Sequence, residues 1–299
     1  MVKTRGDDFR AAVRARPAMY IGDVHDGSGL VHLIWEVLGN SVDQFLAGHC
    51  TRIEVAVERD GTVVVTDDGP GMPVHDLGGL PFAQVALTQM HDRATMDGHR
   101  PHEHLGMRGV GVAVVNVLSE RLQLDTWRDG FHYTQVYVRG QPQAALSKLE
   151  QTERHGTRVA FLPDAEIFTD PWLDVGTVAK RMRELAWLNP PLVLRLVDGR
   201  EHHFQEPRGL HGYFERTRVN RGAIGPLVVD AVCDAVHVQA IAEWTPGKLY
   251  GHIDSFANVE RTTGDGTHVD GSSERCGGRS ARFSRTRCAA VAATRCAAS

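Results

Sequence analysis

Between residues 30 and 46, apolar side chains recur at Leu30, Leu33, Ile34, Val37, Leu38, Val42 and Phe45, the spacing of one face of an α-helix. This is the most regular run in the chain, and Gly48 just beyond it supplies a stop. The period then changes. Over residues 52–57, Ile53, Val55 and Val57 alternate with their neighbours, which predicts a half-buried strand, and Asp60-Gly61 predicts a hairpin turn into a return strand over residues 62–66. That strand runs into Asp67-Asp68-Gly69-Pro70-Gly71-Met72-Pro73, where glycine and proline exclude both helix and central strand. Residues 91–109 combine histidines with Gly98, Gly106 and Gly109 and few apolar side chains, and read as a lid; a second helix follows over residues 110–118.

Farther along, Asp129-Gly130 and Asp198-Gly199 predict hairpin turns, residues 157–162 a strand, and residues 178–188 an amphipathic helix. Strands and helices mix without regular βαβ alternation, so the pattern predicts an α+β sandwich and not a doubly wound parallel sheet. Composition shifts after Pro207, and residues 228–244 are strand-like, which places the start of a second domain near Glu206. From Ser272 onward the sequence is mostly Arg, Ala, Ser, Gly and Cys. Such a segment buries too little surface to offset its chain entropy and is expected to be disordered. The expected division is residues 1–205, 206–271 and a tail, 272–299.

Composition changes this picture little. With 299 residues, 42% hydrophobic and 23% charged, the chain has ordinary globular usage and room for two cores. A formal charge of −4 gives no global attraction to nucleic acid or anionic membrane, so any DNA contact must be local. There is no apolar run long enough to span a bilayer and no signal-peptide core at the N-terminus, which leads us to expect a cytoplasmic protein. The five cysteines include no C-x-x-C pair and support neither a disulfide framework nor a zinc ribbon. Arg10, Arg14 and Arg16 read as the solvated face and end of a short helix.

Three polar elements carry candidate chemistry. On the first helix Glu36, Asn40 and Asp43 share one stripe beside the apolar face. A carboxylate one turn from an amide suits water activation beside a hard, oxygen-preferring cation, although surface helices also carry such stripes. The acidic residue Asp67, at a strand end before spaced glycines, can accept from an exocyclic amine or belong to a solvated tight turn. Gly106-Met107-Arg108-Gly109-Val110-Gly111 opens a helix, where free N–H groups favour phosphate. His91, His99, His102 and His104 lack cysteine partners and read as lid decoration and not as a zinc site.

In this order the three elements resemble the Bergerat-type ATP site shared by gyrase B, topoisomerase IV, heat-shock protein 90, the MutL repair proteins and histidine kinases. Arg16-Pro17-Ala18-Met19-Tyr20-Ile21-Gly22-Asp23, Ala47-Gly48-His49-Cys50, residues 109–116 and Gly266-Thr267-His268 narrow the resemblance to the type II topoisomerases, over residues 10–271. The resemblance implies a Bergerat α/β sandwich over residues 1–205, then a partial transducer domain of ribosomal S5-like α+β type. It implies ATP and Mg2+ as ligands, with Glu36 as general base, Asn40 as magnesium ligand, Asp67 as adenine-amine acceptor and Thr157 as a hydroxyl supporting adenine recognition through water. Gly71 and Met72 would line the nucleotide, with Gly109, Val110 and Gly111 on the phosphate side. Arg128 matches the arginine at the pocket mouth that contacts aminocoumarin inhibitors. A complete family member works with a gyrase A-like subunit and DNA; here only a weak homodimer is expected, because the N-terminal arm is short.

The sequence also departs from the family. Gln44 and Pro70 stand where the family usually has an acid and an arginine, so one ion pair is lost from both sides. Thr95 and His102 replace lid lysines, Leu105 replaces a glycine, and Arg108 replaces a histidine. The resemblance stops at Gly271, short of the transducer lysine that reaches the γ-phosphate, and the remaining tail reads as native basic sequence or as coding sequence out of frame. Adenine binding is therefore expected to survive better than phosphate gripping. The leading expectation is the ATPase portion of a gyrase B-like topoisomerase; the alternative is a non-catalytic nucleotide- or inhibitor-binding fragment.

Overall fold

The computed structural model describes residues 5–90, 110–169, 173–217, 226–233, 236–243, 253–257, 259–262 and 293–296. Two units emerge, one of residues 1–182 and 192–204, the other of residues 183–191 and 205–299.

The first unit begins with α1 (Arg5–Ala15), α2 (Ala18–Ile21) and α3 (Ser28–Leu46), then the hairpin β1 (Arg52–Val57) and β2 (Val63–Asp67). Next come α4 (Phe82–Thr88), α5 (Gly111–Val117), β3 (Ser119–Arg128), β4 (Phe131–Val138), β5 (Gln141–Pro142), β6 (Ser147–Gln151) and β7 (Gly156–Pro163). The helix α6 (Val175–Leu188), whose last turns belong to the second unit, precedes β8 (Val193–Val197) and β9 (Glu201–Phe204). The nine strands form one sheet in the order β5-β4-β3-β7-β2-β1-β8-β9, with β6 also on β4. Within this sheet β1 and β8 pair in parallel, and the other neighbouring pairs are antiparallel. The α+β architecture expected from the mixed pattern is the one found.

The helix α3 runs over β1 and β2, and α5 over β3 and β4, with the two helices side by side. Leu30, Leu33, Ile34, Val37, Leu38 and Val42 of α3 are all buried. Each such side chain contributes about 1.5–3 kcal/mol when fully withdrawn from water, which outweighs the weak helix propensity of the β-branched residues among them. In β2, Val63, Val64 and Val65 are all buried, as befits a strand covered on both faces. The β3–β4 turn is made by Asp129 and Gly130, both at positive φ (53° and 79°), the geometry that matches hairpin twist. On the sheet, buried Asp125 accepts from Arg158 Nη1 at 3.0 Å and sits 3.0 Å from His132 Nε2. Burial raises its pKa, but these contacts and those of Thr134 and Gln123 outweigh burial and hold the carboxyl below the usual range.

The expectation that Arg14 belongs to a solvated face is corrected. Its Nη2 donates to Asp164 Oδ2 at 2.8 Å and its Nη1 to the Val117 carbonyl at 3.0 Å, tying α1 to the end of α5. Asp164 is buried and also pairs with Arg139 Nε at 3.0 Å. The helix α6 starts a turn earlier than its apolar pattern predicts, because Asp174 accepts from Gly176 N (2.9 Å) and Thr177 Oγ1 (2.6 Å).

The second unit holds α7 (Gly209–Thr217) and a five-stranded sheet of β10 (Leu227–Cys233), β11 (Val236–Ala242), β12 (Phe256–Ala257), β13 (Glu260–Arg261) and β14 (Ala293–Cys296), in the order β10-β11-β14-β12-β13. The single strand-like run read over residues 228–244 is in fact the antiparallel hairpin β10–β11. Trp187, Tyr213 and Phe256 meet edge to face, with centroids 5.1 and 5.8 Å apart. Arg261 donates to Glu184 Oε1 (2.8 Å), to Tyr213 Oη (3.0 Å) and to Asp254. From the tail, residues 293–296 pair with β11 and β12; the rest of residues 272–299 lie outside the described residues.

Candidate functional site

The helix α3 delivers the first polar element. Glu36 and Asp43 are buried on it, whereas Asn40 is exposed. Glu36 lies against the start of α5: a Cβ added to Gly111 would fall 1.8 Å from Glu36 Oε2 and 3.2 Å from Glu36 Cβ. Two motifs far apart in sequence therefore converge, and a side chain at residue 111 would have to displace the Glu36 carboxylate. Val110 flanks Gly111 as the N-cap, at φ −133°. Gly109, Arg108 and the lid histidines lie outside the described residues. Among the described residues no group of three His, Cys, Asp or Glu side chains is placed to hold a metal.

The second element closes the other end. Asp67, buried at the end of β2, is opposite Thr157 on β7, and Thr157 is in turn opposite Thr126 on β3. Asp67 Oδ1 accepts from Gly69 N at 2.9 Å and Thr157 N at 3.2 Å, and Oδ2 accepts from Ser41 Oγ at 2.7 Å. Thr157 thus reaches the carboxylate through its backbone N–H. Burial pushes the Asp67 pKa up, against the three donors that favour the charged form. Its neighbour Asp68 goes the other way: burial raises it, but Thr51 Oγ1, Thr51 N and Arg52 N, at 2.6, 2.7 and 2.8 Å, bring it down to about 2.

The turn after Asp68 is locked by backbone contacts. Gly71 has φ 79°, and a Cβ there would meet the Trp127 carbonyl oxygen at 2.5 Å, so glycine is required on both counts. The Gly71 carbonyl accepts from Arg128 Nη1 at 2.7 Å and the Met72 carbonyl from Thr126 Oγ1 at 3.2 Å. His155 Nδ1 lies 3.0 Å from the Gly69 carbonyl. Gln44 sits beside Gly69, and its Oε1 is buried with no hydrogen-bond partner among the described residues. A neutral orphan of this kind costs about 1–3 kcal/mol, less than an unpaired buried charge.

The structure therefore brings Glu36 of α3 against Gly111 of α5, next to Val110, with Asn40 one turn along α3 from Glu36, and gathers Asp67, Gly71, Met72, Arg128 and Thr157 at the ends of β2, β3 and β7. Sequence reasoning missed Ser41. It stands next to Asn40 and looks like a small helix-surface residue until β2 is placed beneath it. Chemically, one end offers a buried carboxyl that accepts three hydrogen bonds, and the other a buried carboxylate one helical turn from an exposed amide.

Residues 25–167 match the family model described as histidine kinase-, DNA gyrase B- and HSP90-like ATPase. The chain is 38% identical over 269 residues to the DNA gyrase B protein of Rickettsia conorii, covering 86% of this chain and 33% of that protein. To the DNA gyrase B protein of Haloferax volcanii it is 39% identical over 271 residues, covering 87% of this chain and 42% of that protein. The chain thus spans well under half the length of these relatives. Its fold is similar to the crystal structure of the 43K ATPase domain of Thermus thermophilus gyrase B in complex with an aminocoumarin, with TM-score 0.78, 28% identity, 95% of this chain covered and 80% of that one. Residues 25–167 belong to the histidine kinase-, DNA gyrase B- and HSP90-like ATPase family, and the chain is gyrase B-like.

Proposed function

We propose that this chain binds ATP with Mg2+ between α3 and the sheet and hydrolyses it. The observation that carries the reading is the convergence of Glu36, midway along α3, on Gly111, while Asp67 is held as a hydrogen-bond acceptor by Ser41, little more than a turn farther along the same helix. The donor set suits the ligand. A carboxylate whose oxygens all accept matches an adenine amine. An amide oxygen with nearby carboxylate suits Mg2+, which keeps waters and substrate phosphates as its other ligands.

In this reading Glu36 orients the attacking water and takes its proton, and the wall of Val110 and Gly111 limits where that water can sit. Asn40, exposed one turn along α3, would hold the metal through its amide oxygen. Bound Mg2+ would supply neutralisation of phosphate charge. Asp67, Gly71, Met72 and Thr157 hold the base, and Arg128 fixes the mouth through the Gly71 carbonyl. As part of a longer gyrase B-like assembly, with a gyrase A-like subunit, the turnover would drive DNA strand passage.

Steady-state ATP hydrolysis of the wild type beside Glu36→Ala tests the reading. Turnover should fall by about a hundredfold or more, the scale of a positioned general base, with nucleotide affinity kept. An unchanged rate in Glu36→Ala removes Glu36 from the mechanism.

A further inference from the structure

We infer that Ser41 is a positioning residue that keeps Asp67 an acceptor-only carboxylate, and so makes the site select a 6-amino purine over a 6-oxo purine. The inference rests on the nucleotide reading above and adds a residue and a selectivity to it.

Lone-pair accounting is the core of the argument. Asp67 Oδ1 accepts two backbone N–H groups, from Gly69 at 2.9 Å and Thr157 at 3.2 Å, which fills its two acceptor positions. Among the described residues Oδ2 accepts one hydrogen bond, from Ser41 Oγ at 2.7 Å, which leaves one position open to a ligand. That open position is a lone pair. An exocyclic amine can donate into it, whereas a 6-oxo group would bring lone pair against lone pair, an arrangement that costs a buried site its pairing.

The discrimination holds only while Asp67 is ionised. A protonated Asp67 would carry its hydrogen on Oδ2 and could donate to a 6-oxo group, inverting the preference. Two features of the site push toward that form: withdrawal from water, and the negative charge of Asp68 next in sequence. Three donors oppose it, and two of them are backbone N–H groups acting on Oδ1. Ser41 is the donor on Oδ2, the oxygen with the open position, and it acts from α3. Its loss would leave Oδ2 without a donor inside a buried site, where the neutral acid is favoured.

The test is calorimetric binding of ADP and IDP, with Mg2+, to the full chain as wild type, Ser41→Ala, Ser41→Cys and Ser41→Thr, each checked by thermal melting. The wild type should prefer ADP by about a hundredfold or more, as sites built to pair a substrate N–H do. Ser41→Ala should lose about tenfold in ADP affinity and shrink the ADP/IDP ratio by a similar factor, the scale of one hydrogen bond to a charged group. Ser41→Cys, nearly isosteric with a weak donor, should move in the same direction by less, and Ser41→Thr should keep the wild-type ratio. A ratio unchanged in Ser41→Ala and Ser41→Cys, or equal losses for both ligands, overturns the inference while leaving nucleotide binding intact. A wild type that binds neither ligand overturns the nucleotide reading and this inference with it.

Discussion

The carboxylate of Glu36 rests on Gly111, so close that a methyl group at residue 111 would fall 1.8 Å from Oε2. The clashing atom is the far end of a side chain that can rotate, so Gly111→Ala should leave the fold standing. Alanine in place of glycine at a helical position is favourable by about 1 kcal/mol, which offsets part of the crowding. The expected outcome is a melting temperature within a few degrees of wild type with turnover reduced at least about tenfold, because a displaced base loses its alignment. Hydrolysis and melting measured together check it; unchanged turnover would separate Gly111 from the mechanism.

Gly71→Ala should behave in the opposite way. Its φ is 79° and the atom it would strike is a backbone carbonyl oxygen, at 2.5 Å, which cannot rotate aside. Loss of at least about 2 kcal/mol of stability is expected from strain and crowding combined. Urea unfolding reads this out as a lower midpoint at constant slope.

Asp67 separates stability from binding. Its pKa is raised by burial, so the folded state holds the proton more tightly than the unfolded chain and the ionised carboxylate costs stability above both values. Asp67→Asn keeps an acceptor oxygen for Gly69 and Thr157 and removes the charge. Melting at pH 7 should therefore be equal to or above wild type, while affinity for an adenine nucleotide drops. A large loss of stability with retained affinity would contradict the role given to this side chain.

For Asp68 the sign reverses. Hydrogen bonds from Thr51 and Arg52 outweigh burial and bring its pKa to about 2, below the unfolded value, so its contribution is present above the usual carboxylate range. That contribution is lost as pH falls through about 2. Melting curves between pH 5 and pH 2 should show Asp68→Asn less stable than wild type at the upper end, with the gap closing toward the lower end; a constant gap would assign the effect to packing alone.

Much of the first unit was legible in the chain. The α3 periodicity, the Asp60-Gly61 and Asp129-Gly130 turns and the return strand before Asp67 all follow from local pattern, because burial on one face and turn chemistry are written within a few residues. The site's separate elements were visible for the same reason. Long-range contacts stayed hidden: Arg14 with Asp164, Ser41 with Asp67 and Gly111 under Glu36 each join residues from different elements. The β10–β11 hairpin read as one strand because Val and Ala continue the alternation on both of its arms. The buried oxygen of Gln44, without a hydrogen-bond partner among the described residues, was not legible from local pattern either.

The central claim is that Asp67 and the elements around it form an adenine-nucleotide site. Isothermal titration of the wild type and of Asp67→Asn with a non-hydrolysable ATP analogue and Mg2+ tests it most directly. The account predicts saturable one-site binding to the wild type, weakened about tenfold or more in Asp67→Asn while the fold melts normally. Equal binding to both proteins, or none to the wild type, would contradict it.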